Sequence, residues 1–307
     1  MLFEEIAQQI VNGLTLAAIY ALIAVGVSLF FGAVGIINLA HGDVATFAAF
    51  GSIAAQKLLG TPFGPLEPLF AAIVAIPIGV GIGALVGWGL YRFAFRPLGE
   101  APPVIGLLAA IAAGFVIRES IFNFFPGGRN PQTFVSAVPT VVVEIGGVFV
   151  LMKQIFVIGT ALALVIWLAA TIQRTRFGRA IRSLVNNREA ARTLGVPIDS
   201  TLTKTFLLGG ALAGVAGVLN GTYYSIIQFD MGILLTIKGF VAAVIGGLGN
   251  IYGALVGALI IGLLEAFTAG FLPQGNAYKE VVVFGALILI LLLRPEGILG
   301  HRTAQKV

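Results

Sequence analysis

Two short stretches carry residue types and spacings that could do chemistry. The first, Arg188-Glu189-Ala190-Ala191-Arg192-Thr193-Leu194-Gly195, sets one carboxylate and two guanidinium groups around small residues. A short helix with so little bulk on one side lets the groove of another protein approach its backbone closely. The chemistry this suits is docking, with Arg188, Glu189, Ala190, Ala191 and Gly195 as the candidate contact residues. The second stretch, Asn38-Leu39-Ala40-His41-Gly42-Asp43, places an amide, an imidazole and a carboxylate between two apolar runs. A glycine-flanked polar break can expose helix ends to a cavity. Asn38, His41, Gly42 and Asp43 are therefore candidates for lining a translocation path. The competing role for His41 and Asp43 is hydrogen bonding that ties neighbouring helices together. Gly35 and Gly42 tilt the choice slightly toward a path.

Other chemistry is excluded by what the sequence lacks. There is no cysteine among the 307 residues, hence no disulfide framework, thiol nucleophile or thiolate metal site, and two histidines argue against a multi-histidine metal centre. No G-x-x-x-x-G-K-[ST] phosphate loop occurs. The glycine-rich runs Gly209–Gly217 and Gly246–Gly257 lack the lysine and hydroxyl such a loop requires, and their spacing suits close helix packing instead. No Ser/His/Asp arrangement or paired-aspartate motif stands out. The chain is expected to be no enzyme and to hold no cofactor or metal of its own.

The elements that position these stretches are membrane helices. Hydrophobic residues make up 58% of the chain and charged residues 10%, with a mean hydropathy of +1.03. A soluble domain carries about 25% charged residues, so a chain this poor in charge belongs to the membrane class. The net charge of +5 does not point to nucleic acid, because the basic residues sit in short segments between apolar spans. A spanning helix needs about 20 mainly apolar residues. The clearest candidates are 10–31, 68–91, 155–172, 205–227 and 252–272; less clean are 36–58, 103–125, 239–248 and 281–293, the last recruiting Tyr278 and its neighbours. The fold class is all-α, a polytopic transmembrane helix bundle of eight or nine spans with short or broken helices. We read residues 1–307 as a single transmembrane domain with a cytoplasmic loop at 173–204. Glu4 and Glu5 stand where a signal peptide would carry lysine or arginine, so the first apolar run is expected to remain as a membrane helix.

Orientation follows from lysine and arginine. The segment Gln173–Lys204 holds Arg174, Arg176, Arg179, Arg182, Arg188, Arg192 and Lys204 against only Glu189 and Asp199, which places it in the cytoplasm. Counting spans puts Arg92, Arg96, Arg294, Arg302 and Lys306 on the same side. Residues 126–152 then lie outside, where the Val138–Val143 run could form a short strand or lid. Within the basic segment, Asn186 and Asn187 offer a break and an N-cap before a short helix over 188–194, Gly195 fits its C-cap, and Pro197 blocks extension. A plain basic loop that only fixes topology and touches anionic lipid would explain the arginines, but not the small residues.

Charged residues at membrane depth usually face the bundle or a watery cavity. The candidates are His41, Asp43, Arg118, Glu119, Asp230, Lys238 and Glu265. Arg118 and Glu119 are adjacent and cannot face each other on a helix, so each needs partners elsewhere. Asp230 and Lys238 are expected near the outer surface, where they could pair. Glu265 is expected near the outer end of its span.

The stretch Glu189–Gly195 resembles the EAA loop of ABC importer permeases. Asn38-Leu39-Ala40-His41-Gly42, the run Gly246-Gly247-Leu248-Gly249-Asn250 followed by Gly253, Ala254 and Gly257, and the segment Arg294–Gly300 together resemble the branched-chain amino acid permease family, from Asn12 to Gly300. The resemblance implies a permease subunit for hydrophobic amino acids in a bacterial inner membrane. It also implies partners: ABC ATPase subunits that hydrolyse ATP and receive the loop, a second related permease chain to form a heterodimer, and an extracytoplasmic substrate-binding protein. Urea- and amide-importing relatives share these features. An ion-coupled secondary transporter is the alternative of another class, and it would leave the EAA-like loop unexplained.

Overall fold

The computed structural model describes residues 2–60, 68–99 and 101–300. Arg302 and Lys306, assigned above to the cytoplasmic side, lie outside the described residues. In chain order the helices are α1 (Leu2–Val34), α2 (His41–Gly60), α3 (Pro68–Gly89) and α4 (Pro103–Phe124). The strands β1 (Gln132–Thr133), β2 (Val142–Ile145) and β3 (Val148–Leu151) come next, then α5 (Met152–Arg174), α6 (Arg176–Asn186) and α7 (Arg188–Thr193). The chain continues through α8 (Ile198–Tyr224), β4 (Ile226–Ile227), α9 (Met231–Gly246), α10 (Ile251–Phe271) and α11 (Gly275–Leu293). Seven helices among the described residues are long and apolar enough to cross a bilayer, and α9 is a shorter apolar helix. With α2, which starts from the polar break, this is the bundle of full and short spans that the hydropathy pattern predicts. Helices dominate because lipid cannot satisfy open backbone groups.

α1 is the axis of the bundle. It is apolar on every face, and such a helix is stable only when surrounded. Leu22, Ile23, Ala24, Val25 and Val27 are fully buried. α10 runs antiparallel along it: Gly13 of α1 meets Gly262 and Leu263, and Gly32 lies beside Gly249. With the arginine-rich end taken as cytoplasmic, the N-terminal end of α1 lies on the outer face. α11 is at the other extreme, exposing Val281, Ile288, Leu289 and Leu292 at the rim.

Glycine sets how closely the helices approach. α3 carries Gly79, Gly83 and Gly87 at four-residue spacing, and α8 answers with Gly210 and Gly214. A Cβ on Gly83 would lie 2.5 Å from the Gly210 carbonyl oxygen, and one on Gly210 would be 2.9 Å from the Gly87 Cα. This is small-residue packing of the kind membrane bundles use in place of a hydrophobic driving force. One turn further along, Gly217 abuts the Ala45 backbone of α2, where a Cβ would collide with the carbonyl group. Gly217→Leu should therefore wedge α8 from α2 and cost about 1–3 kcal/mol or more. Gly159→Leu, at a position open within 4 Å, should be nearly neutral. Thermal unfolding of the two purified variants in detergent checks this, with a lowered midpoint expected for Gly217→Leu alone.

Outside the bundle, β2 and β3 form an antiparallel hairpin pairing Val142 with Leu151 and Ile145 with Val148. Gly146 and Gly147 both have positive φ, +59° and +83°, as a two-residue turn of this hand requires. The turn fixes the register, so the strand starts at Val142 and not at Val138 as the valine run had suggested. The Gln8 side chain on α1 accepts from the Phe149 amide at 2.9 Å and donates to the Phe149 carbonyl at 3.0 Å, which ties the hairpin to the outer end of the axis helix. β1 and β4 make a second, two-residue ladder on the same face.

Candidate functional site

At the cytoplasmic end, the basic segment folds as two capped helices. Thr175 caps α6, its hydroxyl accepting from the Gly178 amide at 3.1 Å. Ile181 and Leu184 of α6 are buried in the bundle while Arg176 and Arg179 face away from it. Asn187 caps α7 as its position predicts, accepting from the Ala190 amide at 2.9 Å. Gly195 ends α7 in a left-handed conformation, φ +78°. The Gly195 amide donates to Arg192 and the Val196 amide to Ala191, both at 3.0 Å. α7 is thus a rigid knuckle. Its faces differ from the expectation in one respect: Ala191 is 1% exposed and packs inward, so it belongs to the seat of α7 and not to its outward face. Arg188, Glu189, Ala190, Arg192 and Gly195 are outward. Leu194, passed over in the sequence, is 82% exposed at the tip.

The knuckle is linked to the span ends. Just after it, at the start of α8, Asp199 accepts from the Tyr91 hydroxyl at 2.8 Å and pairs with Arg96 at 2.9 Å. Tyr91 lies in a π-helical turn, Leu90–Phe95, that continues α3. A cavity of about 370 Å³ separates α7 from the cytoplasmic ends of α1, α3 and α4; Val34, Tyr91, Phe95, Pro103, Arg188 and Arg192 are among its lining residues.

The Asn38–Asp43 break lies deep in the bundle. Asn38, His41 and Asp43 are 1%, 0% and 2% exposed. Gly35, with φ +73°, turns the chain out of α1. The Asn38 side chain accepts from the Ala40 amide at 3.1 Å, and α2 then starts at His41. Gly42 approaches α9 so closely that its amide donates to Thr236 Oγ1 at 2.8 Å. Asp43 is a tie between helices: Arg118 of α4 reaches both its oxygens, at 3.3 and 3.4 Å, and lies over the Phe115 ring. This gives Arg118 its partner, while Glu119 bonds Asn123. His41 differs. Neither ring nitrogen has a hydrogen-bond partner, nor does Asn38 Nδ2. The imidazole is held edge-on to Phe30 at 5.2 Å and fills the space left by Gly26. Buried polar atoms without partners cost about 1–3 kcal/mol each, so this break has polar capacity that packing alone does not use.

A third polar centre lies at the outer side. Lys238 of α9 is 3% exposed and donates to both oxygens of Glu265 at 2.8 Å, to Glu280 at 3.0 Å and to the Tyr20 hydroxyl at 3.2 Å. Tyr20 in turn donates to Glu265 at 2.8 Å, and Lys279 approaches Glu265 at 3.3 Å. Two cations and two carboxylates join α1, α9, α10 and α11. The pairing of Lys238 with Asp230 near the surface is thereby corrected: Lys238 points into the bundle. Asp230 stays exposed at the start of α9. The signal was available in the glycines. Gly246 meets Gly253 and Ala242 meets Gly257, and this antiparallel register sets Lys238 level with Ile261, one turn short of Glu265 and within reach of a long side chain. Beside the cluster is a cavity of about 480 Å³ lined by Tyr20, Lys238, Glu265 and Lys279, by Asp230 and Tyr224, and by apolar groups of α1 and α9.

A many-helix membrane bundle with a capped cytoplasmic knuckle and polar groups buried between its spans fits a transport permease. The family described as the permease component of branched-chain amino acid transport systems matches residues 9–292, and the chain belongs to it. The high-affinity branched-chain amino acid transport system permease protein BraD of Pseudomonas aeruginosa is 36% identical, over 98% of this chain and 97% of its own. The corresponding protein LivH of Escherichia coli is 36% identical over 99% of both chains. The ribose import permease protein RbsC of Escherichia coli is 27% identical over 92% of this chain and 84% of its own. The resemblance read from the sequence is the family found. The chain is a multi-pass permease of the bacterial inner membrane.

Proposed function

We propose that this chain is the permease subunit of an ABC importer for branched-chain, hydrophobic amino acids. It forms the translocation path together with a second, related permease chain. A substrate-binding protein delivers the amino acid at the outer face. ABC ATPases, which alone hold ATP, drive the change of access from the cytoplasm. The observation that carries the reading is the knuckle at α7: a short, doubly capped helix with an exposed apolar tip, Leu194, set among arginines in the most basic segment of the chain. A loop that only fixed topology would need the arginines but neither the caps nor the tip. The names of the relatives support the substrate class. In this reading α7 docks on the ATPase through Arg188, Glu189, Ala190 and Gly195. Movement of α7 then passes to α3 and α8 through Asp199, Arg96 and Tyr91.

The break at Asn38–Asp43 lines or gates the path. His41→Ala should then alter uptake while leaving ATPase association unchanged, because His41 lies at depth and touches nothing in the knuckle. Wild-type uptake by His41→Ala would make His41 a packing residue. The substrate class is tested by ATP-driven uptake of labelled leucine into proteoliposomes holding the assembled importer, in competition with isoleucine, valine, urea and acetamide. Competition by isoleucine and valine alone is the expected result. Competition by urea or acetamide would move the chain to the amide-importing branch.

A further inference from the structure

The outer cavity beside the Lys238–Glu265 cluster has the wall and the charges of a site for a free amino acid. Its deep part is closed electrostatically. Lys238 is saturated by Glu265, Glu280 and Tyr20, so it has no donor left for a ligand without breaking a bond already made. Two charged groups facing the same cavity are different. Asp230, at the start of α9, makes no side-chain hydrogen bond or ion pair among the described residues. Lys279, on α11, is 30% exposed and has one longer contact, 3.3 Å to Glu265. Asp230 and Lys279 do not pair with each other, although both line the cavity. Between them the wall is apolar, from Leu16 and Ile19 of α1 and Leu234 and Leu235 of α9. The volume, about 480 Å³, is that of a small-molecule site, for which about 300–1,000 Å³ is usual.

From this arrangement, and resting on the importer reading above, we infer that the cavity is a transient site for the zwitterion of an apolar α-amino acid, with Asp230 taking the ammonium, Lys279 the carboxylate and the α1–α9 wall the side chain. Both charges are read at once, so an amine or an acid with the same side chain is held less well. The Lys238–Glu265–Glu280 cluster serves as the floor. It keeps Lys279 beside the cavity, where Glu265, already shared with Lys238 and Tyr20, meets it only at 3.3 Å. Binding here is weak by design of the charges. Each is partly in water, where an ion pair contributes about 1 kcal/mol or less, and a site that must release its ligand onward requires that.

The chain has no cysteine, which allows a clean test. Leu234→Cys and, separately, Ile226→Cys each place one thiol in the cavity lining. In the complete importer, with its ATPases and second permease chain, the rate of modification by a small hydrophilic thiol reagent is read by mass spectrometry of this chain. Protection is titrated with L-leucine, with isopentylamine, which lacks the carboxylate, and with 4-methylpentanoate, which lacks the ammonium. Leucine should half-protect at a concentration about fivefold below that of either analogue, the ratio for about 1 kcal/mol. Asp230→Asn should remove leucine's advantage over 4-methylpentanoate and leave protection by 4-methylpentanoate unchanged. Lys279→Gln should do the same with respect to isopentylamine. Equal protection by all three compounds, or none by leucine at either reporter, overturns the inference if the wild-type complex carries out ATP-driven leucine uptake. Absence of that uptake refutes the importer reading itself, and the inference with it.

Discussion

Lys238→Met will sharply reduce the amount of folded protein recovered from the membrane, and Lys238→Met/Glu265→Met will restore the part of that loss due to Glu265, while Glu280 stays without its cation. Lys238 is the only cation that touches both Glu265 and Glu280 in the described structure, and its side chain is 3% exposed. Removing it leaves the 3%-exposed Glu265 carboxylate with only Tyr20 and a long contact to Lys279. Breaking a buried pair from one side costs about 3–5 kcal/mol, whereas replacing both partners with apolar groups is often neutral. A membrane protein with a stability of about 5–15 kcal/mol loses a large share of it in the single variant. Detergent thermal unfolding and yield, compared across wild type, both single variants and the double, form the cycle. A single variant as stable as wild type would mean that the four-helix junction is not held by charge.

The second large effect is at the knuckle. Leu194→Asp should abolish ATP-driven uptake while the protein still inserts and folds, because Leu194 is 82% exposed and holds nothing within its own chain. A buried apolar anchor at a protein interface contributes about 2 kcal/mol or more, which is about a 30-fold loss of affinity for the ATPase. Leu194→Met, of similar volume, should retain uptake. Gly195→Trp adds a second mechanism, since a side chain at φ +78° costs about 1–2 kcal/mol and shifts the end of α7. Titration of purified ATPase onto the permease in nanodiscs checks both. Unchanged ATPase affinity in Leu194→Asp and Gly195→Trp would remove α7 from the interface.

How far the sequence could be read depended on the range of the interaction. Local signals held. Asn187 and Gly195 mark the ends of α7 because cap chemistry is settled within four residues. The glycine runs read as packing surfaces prove to be just that, at Gly210, Gly246 and Gly257. The hairpin was missed by four residues because strand propensity in the valine run competed with turn chemistry at Gly146 and Gly147, and the turn fixed the register. Long-range pairings were the least legible. Lys238 has Asp230 eight residues away in sequence and Glu265 far beyond it, and only the close glycine contacts of α9 with α10 decide which carboxylate is its partner. Arg118 finds Asp43 across a still longer gap, 75 residues. Ala191 lies in α7 and Leu194 caps its C-terminal end three residues on, and which is seated and which protrudes depends on how α7 lies on the bundle. For His41 the sequence allows both packing and a path, with a slight tilt toward the path from Gly35 and Gly42. Its burial beside Phe30 with both nitrogens unpartnered was not legible, because it depends on Gly26 of α1 leaving room for the ring.

The central claim is that this chain is the membrane half of an ATP-driven importer, joined to its motor at residues 173–204. Isolation of the chain from its native membrane in mild detergent, with partners identified by mass spectrometry and cross-links mapped on the intact complex, tests this most directly. The account predicts recovery of an ABC ATPase and a second permease chain, with cross-links from Lys204 to the ATPase. Recovery of this chain without an ATPase, together with uptake that follows an ion gradient and ignores ATP, would contradict it.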